Sequence, residues 1–381
     1  MPLTIPLTLA TVSKQAHSPV GKQSAARGFT MRKLFRSAQP TLCLVLAIAT
    51  HMCMPSANAA ETVDAPTAQT QIAQLSRANA AVVGLRVAVG DDASSAETLG
   101  RARTGSGVLI DKSGLILTIG YLMLEAQNIQ IVTQDNKTLP AQAVAYDQAT
   151  GFGLVRALLP LEGIEPVALG SLAEQRTGTP LMAVTGIQAD GADSDLNMVQ
   201  LVSKRPFSGY WEYHIDAAAF TSPPIANHSG APLFNQQGEL VGIGSLFVGD
   251  VMGGDRRLPG NMFVPVDLLK PILDELRSTG TTARSHRPWI GISSTEQSGR
   301  VQIVRVSKNS PAQQAGLQPG DLVLAVDGTK VDSLEALYKK LWDRAHPEAD
   351  ITLTVLQGAD IRAIRLRAVD RQLSYRKPAG I

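Results

Sequence analysis

Asn227-His228-Ser229-Gly230-Ala231-Pro232-Leu233 reads as a tight turn that presents one serine. Small residues close it, and the apolar run Leu240-Val241-Gly242-Ile243 follows as a strand. A serine held this way is a nucleophile only with help. A positioned base must take its proton, and backbone N–H groups must meet the oxyanion. The remainder of the chain decides whether that help exists.

Around the turn, short apolar runs at 180–184, 199–203, 211–215, 240–243 and 262–264 read as strands. An earlier set lies at 81–87, 107–110, 115–118, 129–133, 141–145 and 154–157. Asp111-Lys112-Ser113-Gly114 joins two of these as a four-residue hairpin with glycine at the left-handed position. Two sets of about six short strands with turn signals between them predict two β-barrels. Leu268, Leu269, Ile272, Leu273 and Leu276 then form a helical stripe. Gly280 stops it, and Pro271 is tolerated if it lies in the first turn.

Residues 278–287 read as a polar linker, after which the pattern resets. Trp289-Ile290-Gly291-Ile292 and 301–306 are strands. Ser310-Pro311 starts a short helix that Gly316 stops, with serine as N-cap and proline in the first turn. A strand at 322–326 and the Asp327-Gly328 turn follow. Asp332 and Glu335 predict a capping box for a helix running to about Arg344. Strands at 351–355 and 361–366 complete a compact αβ unit.

The N-terminus reads as a targeting segment. Met31-Arg32-Lys33 opens a basic region, 42–49 is an apolar core, and Ala57-Asn58-Ala59 is a cleavage signal. Residues 1–30 read as an overextended start, 31–59 as a signal peptide and 60–79 as a mobile arm. A membrane anchor is the alternative for 42–54, but the run is short and broken by His51. Cys43 and Cys53 both lie in the signal, so the mature chain has neither disulfide nor thiol chemistry. Export places it in the periplasm or outside the cell. With 35 basic and 33 acidic residues the chain has no electrostatic footprint for nucleic acid. No metal-ligand spacing or cofactor motif is present, and no cofactor is expected.

These residues resemble the HtrA/DegP-type periplasmic proteases: a mainly β, trypsin-like two-barrel domain followed by one PDZ domain. The resemblance runs from about Ala80 to Arg371. It is carried by Gly105-Ser106-Gly107-Val108-Leu109-Ile110-Asp111, by Gly114 to Thr118, by the serine turn, and by Ser310-Pro311-Ala312 through Pro319-Gly320-Asp321. It implies a two-barrel domain over 80–277, a linker at 278–287, a PDZ domain over 288–372 and a tail at 373–381. It places Ser229 at the nucleophile. The histidine position, three residues after Leu117-Thr118, holds Tyr121. The aspartate position, after Asp147-Gln148-Ala149-Thr150, holds Gly151. The oxyanion-hole turn, Asn227, His228 and Ser229, has asparagine where the family has glycine.

A phenol with an ordinary pKa near 10 is a poor proton acceptor, and glycine cannot orient a base. The expectation is therefore a pseudoprotease. His228, adjacent to Ser229, is a turn-filling residue. His214 and Asp216 share a strand face; the resemblance makes Asp216 structural, and a replacement dyad through His214 is the alternative. The PDZ resemblance implies capture of peptide or protein C-termini and unfolded segments as an added strand. The carboxylate would meet Trp289-Ile290-Gly291-Ile292, and the last side chain a pocket of Ile290, Ile292 and Leu337. Two other functions stay open: an active serine endopeptidase using Ser229 with an unconventional base, and a non-catalytic assembly partner of an active homologue. A homo-oligomer is possible on the resemblance, although 60–80 lacks the aromatic residues the family uses to trimerise.

Overall fold

The computed structural model describes residues 68–187, 194–253 and 257–375. The signal segment, the start of the arm and the end of the tail lie outside the described residues. Among the described residues no helix is long and apolar enough to cross a membrane.

Helix α1 (Ala68–Ala80) precedes β1 (Val82–Val89). The expected arm is thus helical over most of its length, with Ala78 buried and Leu75 packed on the core. After the one-turn α2 (Ala96–Leu99) come β2 (Ala102–Leu109), β3 (Leu115–Ile119), β4 (Ala126–Val132), β5 (Thr138–Tyr146) and β6 (Phe152–Ala157). They close a barrel in the order β1-β2-β3-β6-β5-β4. All five residues of β3 are buried, as an uninterrupted apolar run requires. The β2–β3 turn is built by Asp111, whose Oδ1 accepts the Ser113 N–H at 2.8 Å, and by Gly114 at φ 79°.

The second barrel comprises β7 (Pro180–Val184), β8 (Leu196–Gly209), β9 (Tyr213–Ser222), β10 (Pro232–Phe234), β11 (Leu240–Val248) and β12 (Gly260–Pro265). It closes in the order β10-β11-β12-β9-β8-β7. The expected helix begins later than its stripe suggests. Pro271 lies between a 3-10 turn (Val266–Leu268) and α3 (Leu273–Thr279), not in the first turn of the helix. Leu269 and Leu276 are buried nonetheless, and Gly280 ends the helix at φ 79°.

The stretch 278–287 is not a free tether. Thr282 and Ser285 are buried, and their hydroxyls donate to Asp147 Oδ1 at 2.6 and 2.5 Å. His286 is exposed and bonds Asp370 through Nδ1 at 2.5 Å.

The last unit pairs β13 (Pro288–Trp289) with β20 (Val369–Asp370) and builds a sheet β14-β15-β16-β18-β19. These strands are Ile292–Gln297, Arg300–Val306, Leu322–Val326, Asp350–Gln357 and Asp360–Arg367; β17 (Thr329–Lys330) pairs with β16. Helices α4 (Pro311–Gln314) and α5 (Leu334–Trp342) pack on it. Ser310 caps α4, its Oγ accepting the Gln313 N–H. The expected Asp332 cap of α5 is corrected by one residue: Ser333 Oγ accepts the Ala336 N–H at 3.1 Å. Glu335 bonds Lys339 instead of closing a capping box, and the helix stops at Trp342.

Candidate active cleft and carboxylate loop

The serine turn is set against the first barrel by close backbone contacts. Ser106 N–H donates to the Ser229 carbonyl at 2.8 Å, and Thr118 Oγ1 donates to the Ser106 carbonyl at 2.7 Å. Gly230 adopts φ +74°, and a Cβ there would stand 2.1 Å from the Ser106 oxygen. Glycine is needed there because β2 passes directly underneath. Gly105 of β2 belongs to the same contact, since a Cβ there would stand 2.6 Å from the Ser229 carbonyl oxygen.

The structure brings Tyr121 and Ser229 together across the cleft. The Tyr121 hydroxyl lies 2.7 Å from Ser229 Oγ and 2.9 Å from the Ser245 carbonyl oxygen. A carbonyl only accepts. When the phenolic proton goes to Ser245, Ser229 must donate its own proton to the phenol oxygen; otherwise Ser229 accepts. Burial pushes the Tyr121 phenol up to about 12, against the opposing hydrogen bond with Ser229. At pH 7 only about one phenol in 100,000 is then ionised. The partner of Ser229 is a neutral hydroxyl, not a base.

Gly151 sits beside the 3-10 turn (Gly120–Leu122) that carries Tyr121, its carbonyl accepting the Gly120 N–H at 2.7 Å. It has φ +90° and no side chain to offer. The nearby carboxylate of Asp147 is fully committed. Besides Thr282 and Ser285 it accepts the Thr150 N–H at 2.9 Å and the Thr150 hydroxyl at 2.5 Å. Asn227 is exposed, and His228 holds the Ala226 carbonyl through Nδ1 at 3.1 Å rather than Ser229. Burial lowers the His228 pKa.

His214 and Asp216 do share a face, with Nε2 3.2 Å from Oδ1, but they form no dyad with the serine. His214 Nδ1 bonds Ser208 Oγ at 2.9 Å. Asp216 is exposed and meets Lys339 of α5 at 3.0 Å. With Glu335 these residues form a group that could hold a metal ion. The Lys339 ammonium stands against both carboxylates, at 3.0 and 2.7 Å, so one of their two negative charges is already offset by the chain itself.

In the PDZ unit, Gly291 takes φ +87°, and a Cβ would lie 2.2 Å from Ser310 Cβ. Its conformation turns three successive N–H groups toward one carboxylate, that of Glu212. Glu212 Oε1 accepts from Gly291 at 2.8 Å and Ile292 at 2.9 Å, and Oε2 accepts from Ile290 at 3.2 Å. Burial raises the Glu212 carboxyl to about 7, against these N–H bonds and the charge of Arg371. Trp289 lies beneath the Arg371 guanidinium, 5.7 Å from its ring centre. Ile290, Ile292 and Leu337 are buried in the PDZ core, so with Glu212 docked they present no open pocket.

Sequence reasoning missed Glu212, Ser245 and Arg371. One signal for Glu212 was available: Gly209 marks the end of β8, and 210–212 form a three-residue loop, not the start of a strand.

The fold and site define a trypsin-like two-barrel scaffold followed by a PDZ-like αβ unit. Residues 105–243 match the trypsin-like peptidase domain and 288–367 match a PDZ domain. A probable periplasmic serine endoprotease, DegP-like, of Halomonas elongata is 26% identical over 293 residues, covering 74% of this chain and 59% of that protein. Serine protease PepD of Mycobacterium tuberculosis is 28% identical over 280 residues, covering 67% and 58%. This chain thus spans a little over half the length of these two relatives. A serine-to-alanine form of the HtrA-type protease AlgW, solved with a tripeptide, shares the fold with TM-score 0.50 at 20% identity, covering 81% of this chain and 98% of that one. The trypsin-like peptidase domain, the PDZ domain and these relatives together support an HtrA-family protein with one PDZ domain.

Proposed function

We propose that this protein is a catalytically silent HtrA-type protein of the periplasm, which captures peptide C-termini or unfolded segments in protein quality control. The observation that carries the silent cleft is the Tyr121 hydroxyl 2.7 Å from Ser229 Oγ, a neutral group where a triad needs an oriented imidazole. Capture is supported by the three N–H groups of Ile290, Gly291 and Ile292, which hold a carboxylate in this structure. Periplasmic residence is supported by the signal-like N-terminus and by the description of the Halomonas relative.

Purified protein incubated with unfolded casein is expected to bind it without cutting it. Fragmentation that disappears in a Ser229→Ala variant overturns the silent cleft. Failure to retain either casein or peptides with free C-termini overturns the capture role.

A further inference from the structure

We propose that Glu212 is an internal pseudo-ligand: its side-chain carboxylate occupies the PDZ carboxylate loop and must leave before a peptide C-terminus can enter. The inference rests on the peptide-binding reading above and adds how that site is regulated.

The first observation is the match of chemistry. The loop that would hold an α-carboxylate holds the Glu212 carboxylate through three consecutive N–H groups. The second is that the turn carrying Glu212 is itself bonded to the edge of the PDZ sheet. Two residues earlier, the Tyr210 carbonyl accepts the N–H of Ser294 in β14 at 2.8 Å. One residue earlier still, the Gly209 carbonyl accepts the Tyr338 hydroxyl of α5 at 2.7 Å. The β8–β9 loop therefore lies between β14 and α5, where a peptide would be gripped on one edge by strand hydrogen bonds.

The third observation is backbone strain. Glu212 has φ 56°. The last position of a three-residue hairpin loop favours glycine in this left-handed conformation. A glutamate there is retained against its backbone preference, as at positions where the side chain has a task. The Glu212 side chain is also buried, with residue exposure of 6%.

The fourth is an open approach. A cleft of about 670 Å³ continues from the docked loop along Ser294, Thr295 and Glu296, with Leu246, Phe247 and Val248 of the second barrel lining it as well. A peptide lying antiparallel to β14 would fill this cleft with its preceding residues and meet Tyr210-Trp211-Glu212 at its C-terminal end. Binding then requires the loop to withdraw, which breaks the contacts through which the second barrel holds the PDZ groove. Capture of a C-terminus and release of the PDZ domain from β8–β9 become one event.

The test compares the purified full protein with Glu212→Gly and Glu212→Gln variants. The glycine variant removes the carboxylate while suiting the left-handed backbone, so the hairpin survives. The probes are fluorescein-labelled octapeptides covering all twenty C-terminal residues, each with a free carboxylate or a C-terminal amide. Hydrogen exchange at the amides of 290–292 is read in parallel. The expected result is binding about 10-fold tighter or more in Glu212→Gly than in the unmodified protein, because the competent state is no longer the minor one. Amidated peptides bind neither protein. The same variant exchanges the 290–292 amides about 10-fold faster or more without peptide, and slowly again at saturation. Equal peptide affinity together with unchanged exchange overturns the pseudo-ligand. Faster exchange with no peptide bound at any terminus overturns the peptide-binding reading itself.

Discussion

A Tyr121→His variant is expected to stay at least about 10,000-fold below an intact Ser-His-Asp triad in kcat. The substitution supplies a group that can take a proton near neutral pH, but nothing orients it. The acid position is Gly151, and the neighbouring carboxylate of Asp147 is surrounded by donors from Thr150, Thr282 and Ser285. An imidazole without its carboxylate partner is free to adopt the wrong tautomer and orientation, which is the loss measured when only the triad aspartate is changed. Adding Gly151→Asp is not a simple repair. The backbone there has φ +90°, and the Tyr213 hydroxyl lies 3.5 Å from where the new Cβ would stand. That hydroxyl is committed to the Thr150 carbonyl at 2.6 Å. The double variant is expected to lose about 1–3 kcal/mol of stability to backbone strain. Casein hydrolysis by Tyr121→His within about 100-fold of a complete triad contradicts this account.

Asp147→Ala is expected to destabilise the two-barrel domain by about 3 kcal/mol, since hydrogen bonds to a charged group contribute about 1.5–3 kcal/mol each and do not add fully. Asp147 is buried and gathers four donors. Two of them come from the stretch that leads into the PDZ unit. Alanine leaves the Thr150 N–H and two buried hydroxyls to find other acceptors. In thermal unfolding this corresponds to a fall in Tm of about 6–12 °C for a domain near 200 residues. Asp147→Asn keeps one acceptor and is expected to fall between the two. A fall below about 2 °C in the alanine variant contradicts the anchoring role.

The barrels were legible because their signals are local. The five buried residues of β3 and the Asp111–Gly114 turn specify strand and hairpin within a few positions. Ser229 and Tyr121 were legible through spacing from neighbouring motifs, and the structure brings their side chains into contact. Helix α1 was not legible, because its Ala- and Gln-rich sequence has a weak apolar stripe and Ala78 is its one buried residue. The cap of α5 was misplaced by one position because Asp332 and Ser333 are both capping residue types, and only the geometry selects Ser333. Thr282 and Ser285 looked like linker residues since their partner lies more than 130 positions upstream. Glu212 was hidden for the same reason. Its partners are 78 to 80 residues downstream, in a different domain. Local pattern reveals elements, whereas what a polar residue touches across the fold is set by tertiary packing.

The central claim is that Ser229 sits in a nucleophile's place without a base. Reaction of the purified protein with a fluorophosphonate, followed by mass spectrometry of the peptide bearing Ser229, tests it most directly. The account predicts no adduct at Ser229 after an exposure that fully labels an active trypsin-like protease. Stoichiometric modification of Ser229, lost in Ser229→Ala, contradicts it.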